Sequence, residues 1–159
     1  MTFATFVRRR GVSAVETAIV LSVLMVLMCG MIIGGSGVFR HQQVQCLACE
    51  GARWASVRSG EYQKETGAAP TKQQIIDQAI LPKAVGMNAS DITVQVEWID
   101  KSTNTATDWD AATKDIRSVA STGEYVSNTV RVTVSFQWTP GMFWGATTVR
   151  NVCELPLSN

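Results

Sequence analysis

Between Thr17 and Phe39 no residue carries a charge, and most positions are large and apolar, from Ile19-Val20-Leu21 through Met31-Ile32-Ile33. A helix covering one side of a soluble core keeps a polar face at 3.6-residue spacing, and no such face exists here. A stretch of about 20 apolar residues is what a helix needs to cross the hydrocarbon layer of a bilayer. The pattern therefore predicts a membrane-spanning helix over residues 12–39. Beyond it the sequence stays free of proline, and Val44, Leu47, Ala48, Gly51, Ala52 and Ala55 recur at helical spacing,. The helix is expected to continue over residues 40–57 with a narrow face of small residues. Such a face admits another element at close range, and a β-sheet is the expected one.

After Gly60 to Pro70 the period changes. Thr71 and Gln74 fit a capping box, and Ile75, Ile76, Ala79 and Ile80 form one apolar side, which predicts a short helix over 71–81 limited by Pro82 and Gly86,. Ile92, Val94, Val96 and Trp98 then alternate with Thr93, Gln95 and Glu97. Val130 to Trp138 repeats that alternation, and the turn signal Pro140-Gly141 precedes a further apolar-polar run,. Strands are expected near 91–99, 128–138 and 147–155. Residues 100–126, rich in Thr, Asp and Ser, read as a long loop or an irregular hairpin. The fold class is α+β: a long N-terminal helix, membrane-spanning in its first half, packed on a small antiparallel sheet.

Charge adds direction. The formal net charge of +1 gives no electrostatic case for nucleic acid,. Arg8, Arg9 and Arg10 stand together at the edge of the apolar run; without them, 11 of the 14 basic residues remain against 13 acidic ones. Clustered arginines beside a span stay on the cytoplasmic side, which sends residues 40–159 to the far side of the membrane. A cleaved secretory signal also starts basic, but its apolar region is about 7–15 residues long and ends in an Ala-x-Ala-like site. Here the run is longer, and Gly34, Gly35, Ser36 and Gly37 offer no such site.

Glu16 sits between the arginines and the span, where a carboxylate begins to lose its water. An ionised group inside a membrane segment costs about 2.5–3.5 kcal/mol and normally has a partner. In Arg8-Arg9-Arg10-Gly11-Val12-Ser13-Ala14-Val15-Glu16 a glycine follows the basic cluster and the glutamate stands five residues later. This arrangement resembles type IV pilin-like precursors, and "RRRGVSAVETAIVLSVLMVL" is more closely similar to the start of TadE-like proteins, minor pilins or pseudopilins of tight-adherence pili. "CLACEGARWASVRSG" (46–60) and "VRVTVSFQWTPGMFWGATTVRNVCELPL" (130–157) also resemble that family, whereas residues 61–125 do not take part. The resemblance implies a basic leader (1–11), a prepilin peptidase cut between Gly11 and Val12, and a pilin-like outer domain (40–159). The peptidase, the inner membrane and other pilin subunits are the implied partners. It also suggests a role for Glu16: pairing with the α-amine freed at Val12 of a neighbouring subunit, and so fixing assembly register.

Other chemistry is sparse. His41, the single histidine, has no nucleophile or carboxylate placed around it by any recognisable motif,. Cys46-x-x-Cys49 lacks the strand that precedes a thioredoxin-type motif, and a zinc site would have to recruit Cys29, Cys153 or His41,. Outside the cytoplasm the ordinary fate of cysteines is oxidation, so a disulfide of Cys153 with Cys46 or Cys49 is expected, worth about 4–5 kcal/mol in the chain-entropy picture. Asp108, Asp110 and Asp115 lack the spacing of a calcium loop, so no metal or cofactor is expected, nor any small-molecule substrate. Asn88-Ala89-Ser90 matches a glycosylation sequon by chance. Trp98 and Trp138 read as core; Trp109, Phe143 and Trp144 fall in apparent loops, with the 143–144 pair a candidate subunit contact. Gly30-x-x-x-Gly34 offers a helix–helix contact. The expected function is a non-enzymatic structural subunit of a pilus or related secretion apparatus; the alternative is a membrane-tethered binding module that never polymerises.

Overall fold

A computed structural model describes residues 10–140 and 145–158, with the side chains of residues 10–12, 60 and 61 outside the description. Arg8, Arg9, Phe143 and Trp144 lie outside the described residues. The chain divides into two units, Met1–Val38 and Phe39–Asn159. Helix α1 spans Arg10–Val57, as expected from a stretch without proline in which interior glycines are scattered among strong helix formers.

In the first unit the helix side chains described are almost all exposed, including Val20, Leu24, Val26, Met31 and Ile32. Its hydroxyls are turned inward on the backbone. Thr17 Oγ1 donates to Ser13 O at 2.8 Å, Ser22 Oγ to Ile19 O at 2.8 Å and Ser36 Oγ to Ile33 O at 2.7 Å. With those groups satisfied internally, this part of α1 is long and apolar enough to cross a membrane,.

In the second unit the continuation of α1 buries Val44, Leu47, Ala48, Ala52 and Ala55. After α2 (Gly60–Thr66), Gly67 ends the helix in the left-handed conformation, φ 82°,. Helix α3 (Lys72–Ile75) starts with the reciprocal cap: Gln74 N donates to Thr71 Oγ1 at 3.3 Å, and Thr71 N to Gln74 Oε1 at 3.0 Å. It widens into a π turn over Ile76–Ile80 and tightens into a 3₁₀ turn over Leu81–Lys83. Ile75 and Ile80 are fully buried, whereas Ile76 is half-buried.

Six strands follow: β1 (Ile92–Asp100), β2 (Thr105–Asp108), β3 (Arg117–Val119), β4 (Tyr125–Ser127), β5 (Thr129–Trp138) and β6 (Thr147–Pro156). The main sheet has the order β2-β1-β5-β6, antiparallel throughout, and β3 with β4 forms a separate ribbon. Register places Ile92–Phe136–Val149, Val94–Val134–Asn151, Val96–Val132–Cys153 and Trp98–Val130–Leu155 in rows across β1, β5 and β6. Those rows face the core; Glu97–Arg131–Glu154 lies on the other face. At Gly51 the helix packs tightly on both the π turn and the sheet, since a Cβ there would stand 3.0 Å from Ile80 Cδ1 and 3.3 Å from Val132 Cγ1.

Of the two readings of the polar stretch 100–126, the hairpin is the one found: it contains β2, paired on β1, and the β3–β4 ribbon, carried by turns in which Asn104 and Gly123 take positive φ. One expectation needs correction. Trp109, read as a loop residue, is fully buried: its backbone N–H bonds Val96 O and its indole donates to Pro70 O at 2.8 Å.

Candidate functional site

Two places carry the features singled out in the sequence. The first is the beginning of α1. Arg10, Gly11 and Val12 are already helical in backbone, and Glu16 stands exposed one turn further on. No described side chain forms an ion pair with Glu16. Open space surrounds Gly30 and Gly34, where an added Cβ would meet nothing. The packing of this chain therefore does not itself require glycine at either position. The chemistry available here is an apolar cylinder with a carboxylate near one end.

The second is the cysteine cluster where α1 meets β6. Cys46 is exposed and Cys49 half-buried, three positions apart on α1,. Cys153 pairs with Val132 across the sheet, and Val132 is the strand residue that touches the Gly51 backbone. The Cys153 thiol has Cys49 as its titratable neighbour. Burial, then the neighbouring Cys49 thiol, push it up to about 12. All four cysteines are free thiols in this structure. Of the two cysteines that the sequence offers Cys153 as partners, Cys49 is the one that acts on its thiol, and Cys46 is exposed.

The remaining candidates have structural partners. Asn151 Nδ2 donates to His41 O at 3.0 Å, which fixes the exposed histidine to β6 without building a catalytic set. Asp110 Oδ1 accepts from Lys72 N at 2.8 Å, and Asp108 Oδ2 lies 3.8 Å from Lys72 Nζ; these two acids serve the start of α3. Asp115 contributes its carbonyl, which accepts from Trp98 Nε1 and Asn128 Nδ2. Among the described residues no acidic, His or Cys group could hold a metal ion. Asn88 caps the short 3₁₀ turn Ala89–Asp91 and donates to Asp91 Oδ2 at 3.2 Å. A cavity of about 320 Å³ opens beside Trp54, Arg58 and Tyr62, and its described lining contains no carboxylate, histidine or cysteine.

Two groups escaped the sequence reading. Glu154 accepts from Lys101 Nζ at 2.6 Å, Thr129 Oγ1 at 2.8 Å and Arg131 Nη2 at 3.0 Å. Burial would raise its carboxyl, but these donors more than offset that and bring it down to about 2. Asn128, fully buried, donates to Asp115 O and Ser118 Oγ and accepts from Lys101 N, tying three segments to the start of β5. Strand alternation gives a signal for the row containing Glu154. A lone asparagine between the three-residue β4 and the start of β5 gives none.

A family model described as TadE-like protein matches residues 11–53. The match coincides with α1 from its second residue to near its end and leaves the sheet outside. No curated protein and no solved structure matches the chain significantly. A TadE-like segment on a long apolar helix fits a membrane-anchored, pilin-like protein.

Proposed function

Starting from an N-terminal segment that matches the TadE-like family, we propose that this chain is a non-catalytic structural subunit, a minor pilin or pseudopilin of a tight-adherence pilus or related secretion apparatus. It is made as a single-pass inner-membrane precursor with Arg8, Arg9 and Arg10 in the cytoplasm and residues 40–159 outside. A prepilin peptidase removes residues 1–11, and the new α-amine at Val12 pairs with Glu16 of a neighbouring subunit. Correct stagger then leaves neither charge alone in a low-dielectric surrounding, and wrong stagger leaves both alone.

The observation that carries this reading is the coincidence of the family match, which begins at Gly11, with a helix apolar on all sides directly after Glu16. The decisive experiment is the intact mass of membrane-extracted protein expressed with and without prepilin peptidase. A chain beginning at Val12 only in the presence of the peptidase is the expected result. An unprocessed N-terminus under both conditions would favour the tethered binding module.

A further inference from the structure

Helix α1 ends at Val57, and its hydrogen-bonding runs one residue further, Arg58 N donating to Trp54 O at 3.3 Å. That spacing of four sets the Arg58 guanidinium over the Trp54 ring, 4.4 Å from its centre,. Gly67 ends α2, and the chain from Ala68 to Thr71 then lines the same cavity of about 320 Å³ as Trp54 and Arg58. This volume falls at the lower end of small-molecule sites, roughly 300–1,000 Å³, and suits a ligand of one ring. Two contacts fix the lining. Pro70 O accepts from the indole of the buried Trp109 at 2.8 Å, and Thr71 is locked to Gln74 by their reciprocal bonds.

The chemistry left unused in this lining is chiefly that of donors. Stacking covers one face of the guanidinium and leaves its N–H edge, which among the described residues has no hydrogen bond or ion pair. Gln74 spends its side-chain oxygen on Thr71 N and keeps its NH₂ group. The Gln78 amide and the Trp54 indole N–H are likewise without a bond among the described residues. A planar fork held on an aromatic ring matches the two oxygens of a carboxylate. A phosphate, with its greater charge, would call for a second cation, and Arg58 is the one cation in the described lining. Trp54 and Tyr62 add ring faces, and the glutamine amides both give and accept hydrogen bonds, as sugar hydroxyls do,.

We propose that this cavity binds a hexuronate unit of an acidic polysaccharide. Arg58 takes the carboxylate, Gln74 and Gln78 take ring hydroxyls, and the aromatic rings cover the apolar face of the pyranose. The inference concerns residues of the outer unit alone and goes beyond the assembly reading, since a polymerising subunit and a tethered module would carry the site equally.

The test is a saturation-transfer NMR titration of the full chain in detergent micelles with sodium glucuronate, compared with glucose, acetate and phosphate. Glucuronate should bind several-fold more tightly than each of the other three. Arg58→Gln should weaken glucuronate by about tenfold, the scale of one lost hydrogen bond to a charged group, and leave glucose unchanged. Arg58→Lys, which keeps the charge without the fork, should recover only part of that loss. Gln78 is exposed, so Gln78→Ala should melt like the parent, weaken glucuronate several-fold and leave acetate unchanged. Phosphate or acetate binding as tightly as glucuronate would overturn the proposal. So would the absence of a saturable glucuronate signal, or undiminished affinity in Gln78→Ala or in a folded Arg58→Gln.

Discussion

At the scale of single residues a few positions are constrained by size or charge. Gly51 is one. An alanine Cβ would press on Ile80 and Val132 at side-chain ends able to shift by a few tenths of an ångström, and helix propensity favours alanine by about 1 kcal/mol. Gly51→Ala should accordingly be close to neutral, whereas Gly51→Leu should cost about 2–3 kcal/mol by overpacking, read as a lowered urea midpoint. In the proposed assembly Glu16 acts between subunits. Glu16→Gln leaves the amine at Val12 unpaired, at a cost of about 3 kcal/mol per contact. Membrane insertion should be unchanged while recovery in sheared filaments falls about a hundredfold. Cys49 and Cys153 make a third case. Purified from an oxidising compartment, the chain should be 2 Da lighter than its reduced form, as expected when one disulfide forms at the loss of two hydrogens, and alkylation should label Cys46 alone of the three cysteines outside the span. Joining the two thiols is a two-electron oxidation, and the electrons pass to an external disulfide oxidant. Cys46→Ser should preserve that pairing, and a Cys49 thiol that remains free would refute it.

Among the elements, the outer face of the sheet is held by a row of charges across β1, β5 and β6. Glu154 stands folded at about 2 against an ordinary value of 4.5. A depressed carboxylate stabilises the fold above its unfolded pKa and loses that contribution as pH falls through the folded one. Thermal stability should thus decline between pH about 4.5 and about 2. Glu154→Gln should flatten the decline and cost about 1–2 kcal/mol at neutral pH. Glu50, lowered by its hydrogen bond from Lys83, adds in the same direction. Elements whose burial follows a strict period were legible beforehand. The small face of α1 is visible in Val44 to Ala55, and β1 and β5 in their alternating valines, because packing against one neighbour imposes one repeat. β2 was not legible: Thr-Ala-Thr-Asp has no buried alternation and exists because β1 offers it an edge. Trp109 and Asn128 were hidden for a related reason. Each is placed by hydrogen bonds to distant backbone, Pro70 for one and Asp115 and Lys101 for the other, and no local pattern encodes such partners. At the start of α1 the reading came from a motif and not from packing, since that segment touches little within one chain.

For the molecule as a whole, the division at Val38 and Phe39 separates a helix apolar enough to cross a membrane from a part stabilised by its own core. Every buried hydrophobic residue described lies between Val44 and Leu157. A protein consisting of residues 40–159 should therefore fold in water, with a cooperative melt and a strand-rich circular dichroism spectrum. A broad, non-cooperative melt would mean that the bilayer takes part in folding the sheet.

The contacts that complete that core also set a schedule. Ser56 at the end of α1 bonds Pro156 O at 2.6 Å, across 100 positions of sequence, and Cys49 waits for Cys153 on β6. On the proposed topology the helix emerges first, and its row of alanines has nothing to cover it until β5 and β6 have followed. In that interval the proposed subunit exposes a surface that its finished fold hides. Closure of the sheet over that row is then the last step that readies the chain for assembly.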